Sequence, residues 1–166
     1  MDFGSLYWKN LKLNMQELSM QGKKFDIEFP SLAIIYGIFT VMAGLTLPIV
    51  LIPLVRLTGY SEIVEEIAKV LVISFFILNV PGRKAQIFMG MFFGFLFGLS
   101  ENFLYLNQIL QLGDLSIFWQ RFLWTVPMHI VAVSVMVLFG LMGRWFLFLG
   151  LIGAVILHLL FNGAIV

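Results

Sequence analysis

Five stretches of about twenty residues each, nearly free of charge, run through this chain with only short breaks between them. They extend from about Ser31 to Ile52, from Ser61 to the Pro81-Gly82 pair, from Ala85 to Asn107, from Ile117 to Leu141, and from Trp145 to the C-terminus. Each is about long enough to cross the roughly 30 Å hydrocarbon layer of a bilayer as a helix. Hydrocarbon offers no partner to a backbone N–H or C=O, so a spanning segment must satisfy both along itself, which selects helices. The expected fold is therefore all-α: a polytopic membrane helix bundle of about five transmembrane helices over residues 31–166. Short connections make sequential helices antiparallel. Pro48 and Pro53 are expected to close the first span.

Charged residues are only 11% of the chain and hydrophobic ones 61%, against about a quarter charged in soluble domains. The outer surface of such a bundle faces lipid. The net charge of +1 does not bear on nucleic acid, but no basic run is long enough to grip phosphates, so no nucleic-acid partner is expected. Cysteine is absent, which excludes disulfides, a thiolate nucleophile and thiolate metal ligands.

Residues 1–30 differ. Phe3, Leu6, Tyr7, Leu11, Met15 and Leu18 recur at helical spacing, with Lys9, Lys12 and Gln16 on other faces. This pattern predicts an amphipathic helix lying at the bilayer interface on the cytoplasmic side. It has neither the apolar run nor the cleavage site of a signal peptide, so it is expected to be retained. The cations set the orientation. Lys9, Lys12, Lys23, Lys24, Arg83, Lys84 and Arg144 all fall on one side of an alternating topology, leaving Arg56 and Arg121 with Glu62 and Asp114 on the other. The positive-inside rule puts the N-terminus in the cytoplasm and the C-terminus outside.

Against this background the ionisable groups within the spans matter most, because such groups are costly in hydrocarbon and mark functional sites. Glu65, Glu66 and Lys69 lie near the start of the second stretch, Glu101 and Asn102 toward the end of the third, His129 within the fourth, and His158 and Asn162 within the fifth. At the rise of a helix, Glu101 is about 9 Å, His158 about 12 Å and His129 about 18 Å from the outer end of its segment. The His129 backbone is slightly past the midplane, and side-chain reach of several ångström brings all of these groups within one cavity in the outer half of the bilayer. Glu65 and Lys69 are four apart and share a face, and Lys69 also reaches Glu66. Gly90, Gly94 and Gly98 form a small-residue stripe ending at Asn102, which admits a close neighbour helix. Arg121, Thr125 and His129 form a second stripe, with Pro127 beside the histidine. Glu62 and Arg121 lie near helix ends and read as interfacial residues.

No Ser-His-Asp set and no HExxH motif is present, so acyl transfer and zincin chemistry lack their signatures. Hydrolysis by activated water remains: a carboxylate takes the proton, and histidine or asparagine donors hold the oxyanion. The same residue types also suit a zinc ion, with His129, His158 and Glu101 as candidate ligands and water in the fourth position. The residues leave both versions open.

Four motifs in order, Glu65-Glu66-Ile67-Ala68-Lys69, Phe97 through Glu101 followed by Asn102, the lone His129, and His158 through Asn162, resemble those of the PrsW-type intramembrane proteases. These are related to the CAAX-prenyl endopeptidases, which carry EExxxR and FxxxH instead. The resemblance covers about Leu54 to the C-terminus. It implies a prokaryotic integral membrane endopeptidase, with Glu65, Glu66, Glu101, His129, His158 and Asn162 catalytic and Lys69 and Asn102 supporting. It also implies a membrane-spanning or membrane-anchored protein substrate, of the anti-sigma-factor kind in this family. Glu65 is the expected base, with Glu66 holding or tuning it. Two other readings belong to different classes. One is a non-catalytic scaffold of the same superfamily, in which the polar cluster is structural glue. The other is a proton-coupled transporter, which the lack of paired halves disfavours.

Overall fold

Backbone groups that cannot meet water find their partners along the chain. In a computed structural model, which describes residues 32–165, α1 covers Leu32–Thr58. It is followed by α2 (Ser61–Phe75), α3 (Arg83–Leu112), α4 (Leu115–Met142) and α5 (Leu147–Ile165), with 3-10 turns at Ile77–Asn79 and Arg144–Phe146. No strand occurs among the described residues. The amphipathic segment expected over residues 1–30 lies outside them. Four segments are long and apolar enough to cross a membrane: Leu32–Thr58, Arg83–Leu106, Leu115–Met142 and Arg144–Ala164. The chain is an integral membrane protein, and from Tyr36 onward it forms one compact unit.

Two boundaries differ from expectation. The first helix does not close at Pro48 and Pro53 but runs through both to Thr58. A proline costs a helix its own N–H bond, and neighbouring hydroxyls can make good the carbonyls it disturbs. Ser100 of α3 donates to the Leu45 carbonyl at 2.7 Å, next to the Gly44 carbonyl that loses its helical donor to Pro48. The second difference is α2, which stops at Phe75 after 15 residues rather than reaching Pro81. At about 1.5 Å per residue it is roughly 22 Å long, short of the hydrocarbon thickness. Asn79 ends it. Its Nδ2 donates to the carbonyls of Ser74 (3.2 Å) and Phe75 (2.8 Å), taking groups that a further turn of helix would have used.

Asp114 caps α4 by accepting from the Ser116 N–H at 2.8 Å, and bonding to Ser116 holds its carboxyl below the usual aspartate range. Gly113, at φ +75°, closes α3 in the left-handed conformation that a side chain disfavours.

The glycine stripe of α3 does what its spacing predicts. A Cβ on Gly90 would meet Val137 at 2.7 Å, one on Gly94 the His129 carbonyl oxygen at 2.7 Å, and one on Gly98 the His129 ring at 2.9 Å. The backbones of α3 and α4 therefore approach directly over His129. Gly150 of α5 is pressed equally against Met136 Cα, at 2.9 Å. Ile73, Ile77, Phe93, Ala132, Val133 and Met136 have no exposed surface and form the core between α2, α3 and α4. The outer faces carry Leu57, Phe75, Phe88, Leu123 and Leu160, all well exposed, as lipid contact requires.

Candidate active site

The antiparallel order brings the start of α2, the second half of α3, the middle of α4 and the second half of α5 to one level, and the polar groups meet there. Lys69 is at the centre, with no exposed surface. Its Nζ donates to Glu66 Oε1 at 2.7 Å and to His129 Nδ1 at 2.9 Å, and lies 3.7 Å from Glu65 Oε2. Glu66 Oε1 also accepts from His158 Nδ1 at 2.8 Å. His129 Nε2 bonds Glu101 Oε2, and the two histidine rings stand edge to face with centroids 5.2 Å apart.

Proton positions follow from the partners. An ammonium only donates, so Nδ1 of His129 accepts and its proton sits on Nε2, where it is given to the Glu101 carboxylate. His158 donates from Nδ1 to Glu66, which leaves its Nε2 for another group. The sequence brings Lys69 within reach of both glutamates; the structure gives the shorter contact to Glu66, three residues back, with Glu65 at the longer distance. That leaves the two glutamates unequal. Glu66 is fully buried and held by two cations or donors, whereas Glu65 has a side chain 13% exposed.

Glu65 and Glu101 line a cavity of about 280 Å³ whose walls include Pro48 and Arg56 of α1, Ser61 of α2 and Tyr105 of α3. Its walls combine apolar residues such as Leu51, Ile52 and Leu104 with a few polar and charged groups, the mixture usual for a binding site. A larger hollow of about 360 Å³ between α4 and α5, lined by Trp124, Pro127, Val131 and Leu160, holds no titratable group. It is a groove of the lipid-facing surface rather than a reaction site.

Two residues read as merely interfacial belong to the cluster's rim. Arg121 Nη2 lies 3.8 Å from Glu101 Oε1, with its guanidinium 4.2 Å from the Tyr105 ring centroid. Glu62 Oε1 accepts from Asn162 Nδ2 at 2.8 Å, so the asparagine of the last motif reaches α2 but not Glu65 or Glu66. The stripe of Arg121, Thr125 and His129 carried the signal for the first; one-turn spacing of Glu62 from Glu65 and Glu66 carried it for the second. Asn102 is fully buried, but neither end of its amide bonds any described residue. Its place at the end of the glycine stripe would allow a bond across to a neighbouring helix, and none is made to a described residue.

The donor chemistry suits a divalent ion. One ligand atom from each of Glu65, Glu66, His129 and His158 lies within 4.8 Å of the others, the mixed carboxylate and imidazole set that zinc accepts. Glu65 Oε2 and Glu66 Oε2 are buried without a hydrogen-bond partner, and such oxygens are satisfied by a cation. Glu101, expected as a ligand, instead holds His129 from behind, the outer-sphere position that orients a ligating imidazole.

No curated protein and no solved structure matches the chain. The family model described as PrsW family intramembrane metalloprotease matches residues 32–166, a span that contains all five helices and every residue of the cluster. A buried carboxylate–histidine centre inside a bundle of membrane-crossing helices is what that description requires, and the chain belongs to the PrsW family of intramembrane metalloproteases.

Proposed function

We propose that this protease cuts a peptide bond of a membrane-spanning or membrane-anchored protein, with Glu65 as the general base for water. One observation carries the assignment: Glu65 both borders the open cavity and keeps a buried carboxylate oxygen free of any hydrogen bond. Glu66 is enclosed by Lys69 and His158 and is the fixed member of the pair. In the reaction Glu65 takes a proton from water, the water oxygen attacks the peptide carbonyl carbon, and the proton passes on to the leaving amine. His158 donates from Nδ1 to Glu66, and its Nε2 is the ring atom left to face the reacting groups. His129 and Glu101 form a rigid pair that fixes the wall opposite. Asn162 steadies Glu62 at the rim.

Glu65, Glu66, His129 and His158 are the residues that would hold a zinc-like ion, which when bound acidifies water and polarises a carbonyl. The distribution of cations supports a cytoplasmic N-terminus in a prokaryotic cell membrane, with the cluster toward the outer face. A substrate cut on its extracytoplasmic side, as an anti-sigma factor is, agrees with that orientation.

The test is cleavage of candidate single-span substrates by purified protein in detergent, with Glu65→Gln and a chelator arm alongside. Loss in the mutant with retention under chelation means a glutamate-activated water without metal. Loss in both means a bound ion is needed. Retained cleavage by Glu65→Gln removes Glu65 as base, and no cleavage by the parent chain favours the scaffold reading.

A further inference from the structure

Lys69 stands at the middle of the cluster, and general-base chemistry gives it no task. It is a fully buried ammonium on an unbranched stem, 4.0 Å from the centroid of the Phe97 ring. Two of the four metal-donor residues bond it directly, Glu66 at 2.7 Å and His129 at 2.9 Å, and Glu65 stands at 3.7 Å. The fourth, His158, shares Glu66 Oε1 with it. A metal sits about 2 Å from each ligand atom, so an ion taking His129 Nδ1 would fall in the space the ammonium fills, whether it met Glu66 through Oε1 or through the unpartnered Oε2. Both nitrogens of His129 are engaged, Nδ1 by Lys69 and Nε2 by Glu101, so the ring cannot ligate until one contact is released.

We propose that Lys69 is a resident competitor for the metal: its ammonium and a divalent ion take the same donors in turn, and the exchange sets the metal affinity of the site. This rests on Glu65, Glu66, His129 and His158 being the metal donors, and it does not depend on which substrate is cut. With Lys69 in place the carboxylates are compensated and the bundle is stable without an ion. With the ion in place the flexible four-carbon stem of the lysine swings its compact head aside. The alternative is a fixed counter-ion that stays where it is and merely adds positive field.

The experiment titrates metal-stripped protein in detergent with Co(II), read by its visible absorption, for the parent chain, Lys69→Met and Arg121→Gln. Arg121 is the control for field alone, since it touches Glu101 rather than a donor. Competition predicts that Lys69→Met binds Co(II) roughly a hundredfold tighter or more, while Arg121→Gln changes affinity by less than about tenfold. Equal tightening in both variants, no tightening in Lys69→Met, or no Co(II) binding at all overturns the proposal.

The parent chain gives a second reading should Lys69→Met not survive extraction. Reductive methylation followed by mass spectrometry should find Lys69 protected without metal and modified under saturating Co(II). Protection that persists with the metal bound overturns it equally. Both readouts are independent of proteolysis, so a failure to cleave any substrate is a separate result.

Discussion

Replacing Gly94 by alanine tests whether the site depends on how closely α3 and α4 approach. The new Cβ would stand 2.7 Å from the His129 carbonyl oxygen, 2.9 Å from Ile130 Cα and 3.0 Å from the His129 carbonyl carbon. All three are backbone atoms, so no side chain can rotate away. Ordinary contact begins near 3.4 Å, and relief requires α4 to retreat by several tenths of an ångström at the residue that carries the imidazole. Overpacking costs about 1–3 kcal/mol, but a helical Gly→Ala substitution returns about 1 kcal/mol of propensity. The net loss of stability is thus only about 0–2 kcal/mol, and the protein should still insert and purify. Activity is the sharper readout, because a misplacement of about 1 Å in a catalytic constellation costs roughly a hundredfold. Gly153→Ala is the control, as its Cβ would find only Val135 Cγ1 at 3.5 Å. We expect Gly94→Ala to lose roughly tenfold to a hundredfold in substrate cleavage with a melting temperature close to the parent. Gly153→Ala should keep full activity. Equal activity in both variants would refute the claim that this contact positions His129.

Glu66→Gln should destabilise by about 3–5 kcal/mol in a detergent unfolding assay, because it leaves Lys69 buried without its closest carboxylate. Glu65→Gln should cost far less, and equal losses would mean the two glutamates are not unequal. Asn79→Ala should cost about 1–2 kcal/mol through two lost bonds to the end of α2; an unchanged melting temperature would show the helix stops there for another reason. Asp114→Ala should lower the melting temperature slightly at neutral pH. The cap's contribution is present when Asp114 is ionised and is lost as pH falls through its depressed pKa, so parent and variant should converge in acid. A difference that persists at low pH would remove the carboxylate as its source.

Hydrophobic length made the bundle legible, since four of the five apolar stretches become spanning helices. Depth arithmetic brought Glu65, Glu66, Glu101, His129 and His158 to one level, which is where they meet. Neither could show where α2 ends. Ile77 and Leu78 are as apolar as any span residue, and the stop comes from Asn79 turning back on the carbonyls of Ser74 and Phe75. Periodicity gives the face of a helix but not its rotation against a neighbour. Lys69 therefore reads as within reach of both glutamates, and only the packing gives Glu66 the shorter contact and adds His129. Arg121 and Glu62 lie near helix ends, where a charge is cheap, and only the fold shows that their heads turn inward to Glu101 and Asn162.

The shortness of α2 has a consequence for traffic. Where it stops, no water need enter: Asn79 closes its last carbonyls, and Gln86 Nε2 donates to the carbonyls of Leu78 and Val80, each at 2.8 Å. Ile73, Ile77, Phe93 and Met136 plug the space between that turn and Lys69. The cavity that Glu65 and Glu101 line borders the other end of α2, beside Ser61, Arg56 and Tyr105. Water or peptide that enters from that cavity meets packed side chains beyond Lys69, so a product lingering beside Glu65 would occupy the space the next water needs.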